Sequence, residues 1–64
     1  MNENQKAVFE LVNHYIKNHE LNTMQAIYWS ITNALDNPES EFASAFKKLS
    51  NDEVNTVLSE CIKQ

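Results

Sequence analysis

Residues 24–35, MQAIYWSITNAL, carry the apolar pattern that decides the fold. Five apolar residues in this stretch recur at steps of three and four positions, as they do on one face of an α-helix. We expect that face to be buried in a core and the rest of the chain to be organised around it. Asn22 can cap the start of this helix, with Gln25 reaching back to the backbone as in a capping box. The five residues of the face are Met24, Ile27, Tyr28, Ile31 and Leu35.

Three other segments carry apolar residues at the same helical spacing. No segment shows the alternation or the clustering of β-branched residues that is typical of strands. The sequence therefore predicts an all-α fold, a compact bundle of four short helices that forms one small domain over residues 1–64. The predicted helices span residues 3–19, 23–36, 38–49 and 51–63.

Capping residues indicate where the other helices begin and end. Ser50 and Glu53 form the capping box of the fourth helix. For the third helix we predict Asn37 as the cap and Pro38 as the first residue, because the missing N–H of proline is no loss at that position. The sequence contains no glycine, so Asn18 is expected to end the first helix in the left-handed conformation.

The length of the chain limits the core that it can form. A chain of 64 residues buries only about 60% of the surface that its unfolded form exposes, so we expect marginal stability. A single cysteine cannot form an intramolecular disulfide, which leaves self-association as a way to bury more surface. The predicted core comprises Val8, Leu11, Val12, Tyr15, Ile16, Met24, Ile27, Ile31, Leu35, Phe42, Phe46, Leu49, Val54, Val57, Leu58 and Ile62.

The charge composition weighs against nucleic acid as a partner. The net charge is −4, and all five basic residues are lysines. Binding to DNA or RNA draws its affinity from basic groups that neutralise phosphates, and arginine is the commonest specific reader of guanine. The N-terminus has no signal-peptide pattern, and no stretch approaches the roughly 18 apolar residues of a membrane span. We therefore expect a cytoplasmic protein that binds no membrane.

The few candidates for chemistry each have a simpler structural explanation. His14 and His19 lie about 140° apart on a helical wheel, so they do not share a face as two metal ligands would. Cys61 lies on the apolar stripe of the fourth helix, where cysteine serves as a small core residue. We predict no catalytic residue, no cofactor or cofactor-binding residue and no metal ligand, and we do not expect an enzyme.

Trp29 does not fit the single buried face of the second helix. On the helical wheel it lies about 140° from Met24, on the side that also carries Gln25, Ala26 and Asn33. One interpretation is that the helix is buried on both sides. The other is that Trp29, Gln25, Ala26 and Asn33 form an interaction surface, since tryptophan is enriched at binding hot spots. We predict that surface as the candidate site.

Two classes of function are compatible with these features. The first is a small non-enzymatic interaction or regulatory protein, such as those encoded by bacterial mobile elements, that binds a protein partner or forms a homodimer. The alternative is a small helix-turn-helix-like DNA-binding regulator, with the third helix as the recognition helix. In that case Glu39 and Glu41 would face the phosphates, so we rank this alternative second.

Overall fold

The computed structural model describes residues 1–63 and contains four α-helices. No strand occurs among these residues, so the predicted all-α bundle of four short helices is confirmed. In chain order the helices are α1 (Glu3–Asn18), α2 (Thr23–Asp36), α3 (Glu41–Lys47) and α4 (Asn51–Ile62).

α1 is the central helix of the bundle. It packs against α2, α3 and α4, and its apolar stripe supplies the buried Val8 and Val12 and the half-buried Leu11. α2 and α3 meet over a much smaller contact. The expectation that the chain is organised around residues 24–35 is therefore wrong, because the other helices are arranged around α1.

α2 and α4 each start with a capping box, as predicted. The backbone N–H of Gln25 donates to Asn22 Oδ1 at 2.8 Å, and the N–H of Asn22 donates back to Gln25 Oε1 at 3.1 Å. At α4 the N–H of Glu53 donates to Ser50 Oγ at 3.2 Å, and the N–H of Ser50 donates to Glu53 Oε1 at 2.9 Å. Each box satisfies backbone N–H groups that the helix itself leaves without partners.

α3 is shorter than predicted and begins at a different residue. Its cap is Ser40, whose Oγ accepts from the N–H of Ala43 at 3.1 Å. Asn37 is not the cap of α3, because its own N–H closes the end of α2 on the carbonyl of Asn33 at 2.9 Å. Pro38 therefore lies in the turn between the two helices, and α3 starts three residues after it.

The end of α1 also differs from the prediction. Asn18 is still helical, His19 is the C-cap, and the residue with positive φ is Glu20, at 53°. A left-handed residue is needed where the chain turns from α1 into α2, and with no glycine in the sequence a glutamate adopts that conformation.

The core of the bundle consists mainly of small side chains. Among residues 1–63 eight apolar residues are buried, of which three are alanines and one is aromatic. A core of this composition removes little apolar area from water for each residue that it orders. The eight residues are Val8, Val12, Ala26, Phe42, Ala43, Ala45, Val57 and Cys61.

The predicted core is confirmed in part. Val8, Val12, Phe42 and Val57 are buried. The half-buried members of the prediction are Leu11, Tyr15, Ile16, Ile27, Leu49, Val54 and Leu58. The remaining members are exposed, so their assignment to the core is wrong: Met24, Ile31, Leu35, Phe46 and Ile62.

Candidate interaction surface on the second helix

The inner face of α2 is made of small residues. Ala26 and Ser30 are almost completely buried, and Ser30 satisfies its hydroxyl by donating to the carbonyl of Ala26 at 2.7 Å. Since α2 makes most of its contacts with α1, these small side chains are the ones that face the centre of the bundle. Small residues at a contact let two helices approach closely.

The outer face of α2 carries large apolar residues that the bundle leaves uncovered. Met24, Tyr28 and Leu35 are 80%, 65% and 76% exposed, and Ile31 is also exposed. We call these four residues the outer stripe. Their spacing of four, three and four positions places them within about 60° of one another around the helix. The sequence had suggested that this face, including Tyr28, is buried; the structure turns it to solvent.

A groove continues the outer stripe towards α3. Its volume is about 270 Å³. Phe46 lies on one side of it, and its ring centroid is 5.9 Å from that of the buried Phe42. Lys47 is the one charged residue of the lining, so the groove offers an apolar surface with a positive charge at its edge. We call it the α2–α3 groove; it is lined by Ile31, Ala34, Leu35, Pro38, Phe42, Ala43, Phe46 and Lys47.

The residues predicted as an interaction surface do not lie together. Trp29 and Gln25 are exposed, and Asn33 is half-buried. Ala26 is 0% exposed and belongs to the core, so its assignment to this surface is wrong. Ser30, which follows Trp29 in the chain, is buried as well. The helical wheel places these residues on one side of α2, but the part of that side that carries Ala26 and Ser30 is buried against the rest of the bundle.

Trp29 instead lies between the outer stripe and the end of α1. Its ring meets that of Tyr28 edge to face, with the centroids 5.8 Å apart. On its other side it lines a shallow depression together with Tyr15, His19 and Leu21. Trp29 therefore extends the aromatic part of the outer face and is not the centre of a separate polar surface.

The two histidines are closer together than the helical wheel suggested. Their ring centroids are 5.6 Å apart, because His19 follows the end of α1 and is not bound by the helical geometry. Asn18 Nδ2 donates to Nδ1 of His14 at 2.6 Å, which occupies one ring nitrogen. Within residues 1–63 no three histidine, cysteine, aspartate or glutamate side chains are grouped as metal ligands.

Cys61 and Glu53 have shifted pKa values for structural reasons. Cys61 is buried, which confirms its interpretation as a small core residue, and burial raises the pKa of its thiol with a further contribution from the charge of Glu60. The pKa of Glu53 is lowered, chiefly by the backbone N–H of Ser50 and next by the side chain of Asn2. Neither shift creates a reactive group.

Glu53 also joins the starts of α1 and α4. The amide of Asn2, which caps α1, donates to Glu53 Oε2 at 2.6 Å. The side chain of Gln5 donates to the carbonyl of Glu53 at 3.2 Å. These two bonds fix the beginning of the central helix against the beginning of the last one.

Comparisons of the chain with protein-family models, with curated proteins and with solved structures gave no match. Within residues 1–63 none of the helices combines the length and the apolar content needed to cross a bilayer. The side chains of the outer stripe and the α2–α3 groove are then the features from which a function can be inferred.

The sequence of α2 is compatible with either of its two sides facing inward. Ala26, Ser30, Asn33 and Ala34 recur at helical spacing on the opposite side of the same helix. A helix with small residues on one side and large apolar residues on the other can pack closely on either side. Only the path of the chain around α1 decides which side faces inward.

Proposed function

We propose that this protein is a non-enzymatic interaction module that binds a protein partner through the outer stripe and the α2–α3 groove. One observation carries the proposal: α2 leaves Met24, Tyr28, Ile31 and Leu35 exposed, while six of the eight buried apolar residues of the same small chain are valines and alanines. Contiguous apolar surface on this scale marks an interaction site in a soluble protein.

The composition of the face also suits a protein interface. Methionine and aromatic residues are enriched in interface cores, and charged residues are depleted there. From Thr23 to Leu35 the sequence of α2 has no charged residue. Gln25 and Thr32 supply a neutral polar rim beside the stripe, and Trp29 adds an aromatic anchor of the kind that dominates binding energies.

The titratable residues favour a non-enzymatic role. The two clearly shifted pKa values in residues 1–63 belong to Glu53, which is engaged in a helix cap, and to Cys61, which lies in the core. A thiol with a raised pKa is a poor nucleophile near neutral pH. The side chains best placed to contact another molecule are apolar.

Site-specific photo-crosslinking tests the proposal. A photoreactive phenylalanine analogue replaces Tyr28 in one variant and Asn55, an exposed residue of α4, in a matched control. On illumination, alone or in a bacterial extract, the analogue at position 28 is expected to give a discrete adduct with a protein, and the control is not. The adduct should disappear when Leu35→Asp is added, since that change puts a charge into the stripe.

Equal labelling from positions 28 and 55, or an adduct that survives Leu35→Asp, would contradict the proposal. Circular dichroism of each variant shows whether the fold is retained. The control matters because a photoreactive group on any exposed helix reacts with abundant proteins by chance collision.

A further inference from the structure

We infer that the partner of the outer stripe is a second copy of this chain, whose α2 lies antiparallel to the first across a two-fold axis between Tyr28 and Ile31. The inference rests on the proposed function of this face. It adds the identity of the partner and the direction in which the two helices run.

The spacing of the outer stripe is symmetric about its midpoint. Steps of four, three and four read the same from either end of the helix. An antiparallel copy therefore sets Met24 opposite Leu35 and Tyr28 opposite Ile31, and the two-fold axis repeats both pairs. An interface of this kind is self-complementary without any further change in the chain.

The α2–α3 groove gives the second copy a place for its most exposed apolar side chain. In the antiparallel arrangement, Met24 of the second copy lies at the level of Leu35, where α2 borders the groove. Methionine is long, unbranched and flexible, so it can fill an irregular apolar groove. The two-fold axis provides two such contacts, one on each side of the helix pair.

The exposed area matches what a dimer of this size needs. The exposed fractions of the four stripe residues and of Phe46, from 37% to 80%, together correspond to roughly 600 Å² of accessible surface. With the polar rim this approaches the roughly 800 Å² per partner of a standard interface. The whole surface of one copy is 4445 Å², so the dimer would cover close to a fifth of it.

Charge also favours pairing through this face. Each copy carries a net charge of −4, so like charges repel over most of the surface, but the outer stripe lies in a charge-free stretch of α2. The antiparallel direction sets the C-terminal end of α2, which carries Asp36 and no basic residue, beside the first turn of the other α2. That turn has no acidic residue of its own. Because it lies at the positive end of the helix dipole, it attracts the negative charge of Asp36 from the other copy.

The mass of the purified protein in solution tests the inference. We expect sedimentation equilibrium at micromolar concentrations to give twice the chain mass of 7.4 kDa. Leu35→Asp should shift the dimer dissociation constant upwards by about 30-fold or more, as loss of a hot spot does. Asn55→Asp adds the same charge on α4 and should leave the dimer intact. If Leu35→Asp loses its helical circular dichroism, Met24→Asp takes its place.

Disulfide trapping tests the direction of the helices. Met24→Cys and Leu35→Cys are made separately, mixed and treated with an oxidant, while Cys61 remains buried in both. The antiparallel dimer should trap the mixed 24–35 pair in preference to either homodimer. Preferential 24–24 and 35–35 products would overturn the antiparallel arrangement.

The two proposals fail in different ways. A monomeric wild type overturns the second-copy inference. If position 28 then still crosslinks to another protein in a manner that depends on Leu35, the interaction function stands. A monomer without specific crosslinks overturns both.

Discussion

α1 and α2 each carry a stripe of apolar residues at helical spacing, but only the stripe of α1 is covered by the chain itself. Val8 and Val12 of α1 are buried between the other three helices, whereas the outer stripe of α2 faces solvent. The periodicity of a stripe indicates that a helix has a face to be covered. It does not indicate whether the same chain or another molecule covers it.

The side-chain sizes of the two helices explain the difference. α2 turns Ala26 and Ser30 towards α1 and keeps the outer stripe in solvent, and small side chains at a contact let two helices lie close together. The centre of the bundle is therefore packed with small side chains, and the large apolar residues of the outer stripe remain exposed to solvent.

Two phenylalanines of α3 allow the covered core to be compared with the uncovered α2–α3 groove. Phe42→Ala should destabilise the fold by about 3–5 kcal/mol, because the ring is buried against α1 and leaves a cavity. Phe46 is 37% exposed in the α2–α3 groove, so Phe46→Ala should cost less, about 1–2 kcal/mol. Urea unfolding in the Leu35→Asp background excludes any contribution from self-association. Equal losses would show that the groove is as well packed as the centre of the bundle.

The capping box at the start of α4 contributes to the stability of the bundle. Ser50→Ala should destabilise by about 1 kcal/mol, since it removes the acceptor for the N–H of Glu53 and weakens the start of α4. Ser59→Ala, at an exposed position within the same helix, is the control and should change little. Thermal unfolding followed by circular dichroism measures both. An unchanged melting temperature for Ser50→Ala would mean that the cap contributes nothing.

Glycine at position 20 should remove the steric cost of the positive φ that Glu20 adopts between α1 and α2. Glu20→Gly should stabilise the fold by up to about 1 kcal/mol, because glycine adopts positive φ without the steric cost that glutamate bears. Glu39→Gly changes the same residue type in the other long turn, where φ is not positive. It should not stabilise, since glycine there only adds freedom to the unfolded chain. Melting temperatures of the two variants give the comparison.

The pH dependence of stability tests the hydrogen bonds that Glu53 accepts, first from the backbone N–H of Ser50 and next from the side chain of Asn2. The pKa of Glu53 is lower in the folded chain than its ordinary value of about 4.3. The unfolded chain therefore binds more protons in the acidic range, and the contribution of Glu53 is lost as the pH falls below that value. Glu53→Gln keeps a hydrogen-bonding side chain and should flatten stability against pH below about pH 5. A curve parallel to that of the wild type would contradict the lowered pKa.

The helices and two of their caps could be predicted because they depend on local contacts. Asn22 with Gln25, and Ser50 with Glu53, bond within four residues of one another, so the sequence contains both partners of each bond. The prediction for the start of α3 is wrong because two local roles compete for the same residue. Asn37 is a good cap by type, but its backbone is already committed to the end of α2.

The candidate site could be predicted only in part. Trp29 was singled out because it lies off the apolar stripe, and it is 48% exposed. The outer stripe was assigned to the core because large apolar residues at helical spacing usually face inward. The sequence alone could not correct that assignment. Whether Ala26 and Ser30 or the outer stripe faces inward depends on how closely α2 can approach α1.

The central position of α1 has a consequence for the order in which the molecule opens. α2, α3 and α4 rest mainly on α1 and only slightly on one another, so we expect local opening to involve one of these outer helices, whereas α1 loses its cover only when all three have left. Amide hydrogens in the middle of α1 should therefore exchange with deuterium only through global unfolding. Those of α2, which is supported on one side, should exchange earlier through local opening.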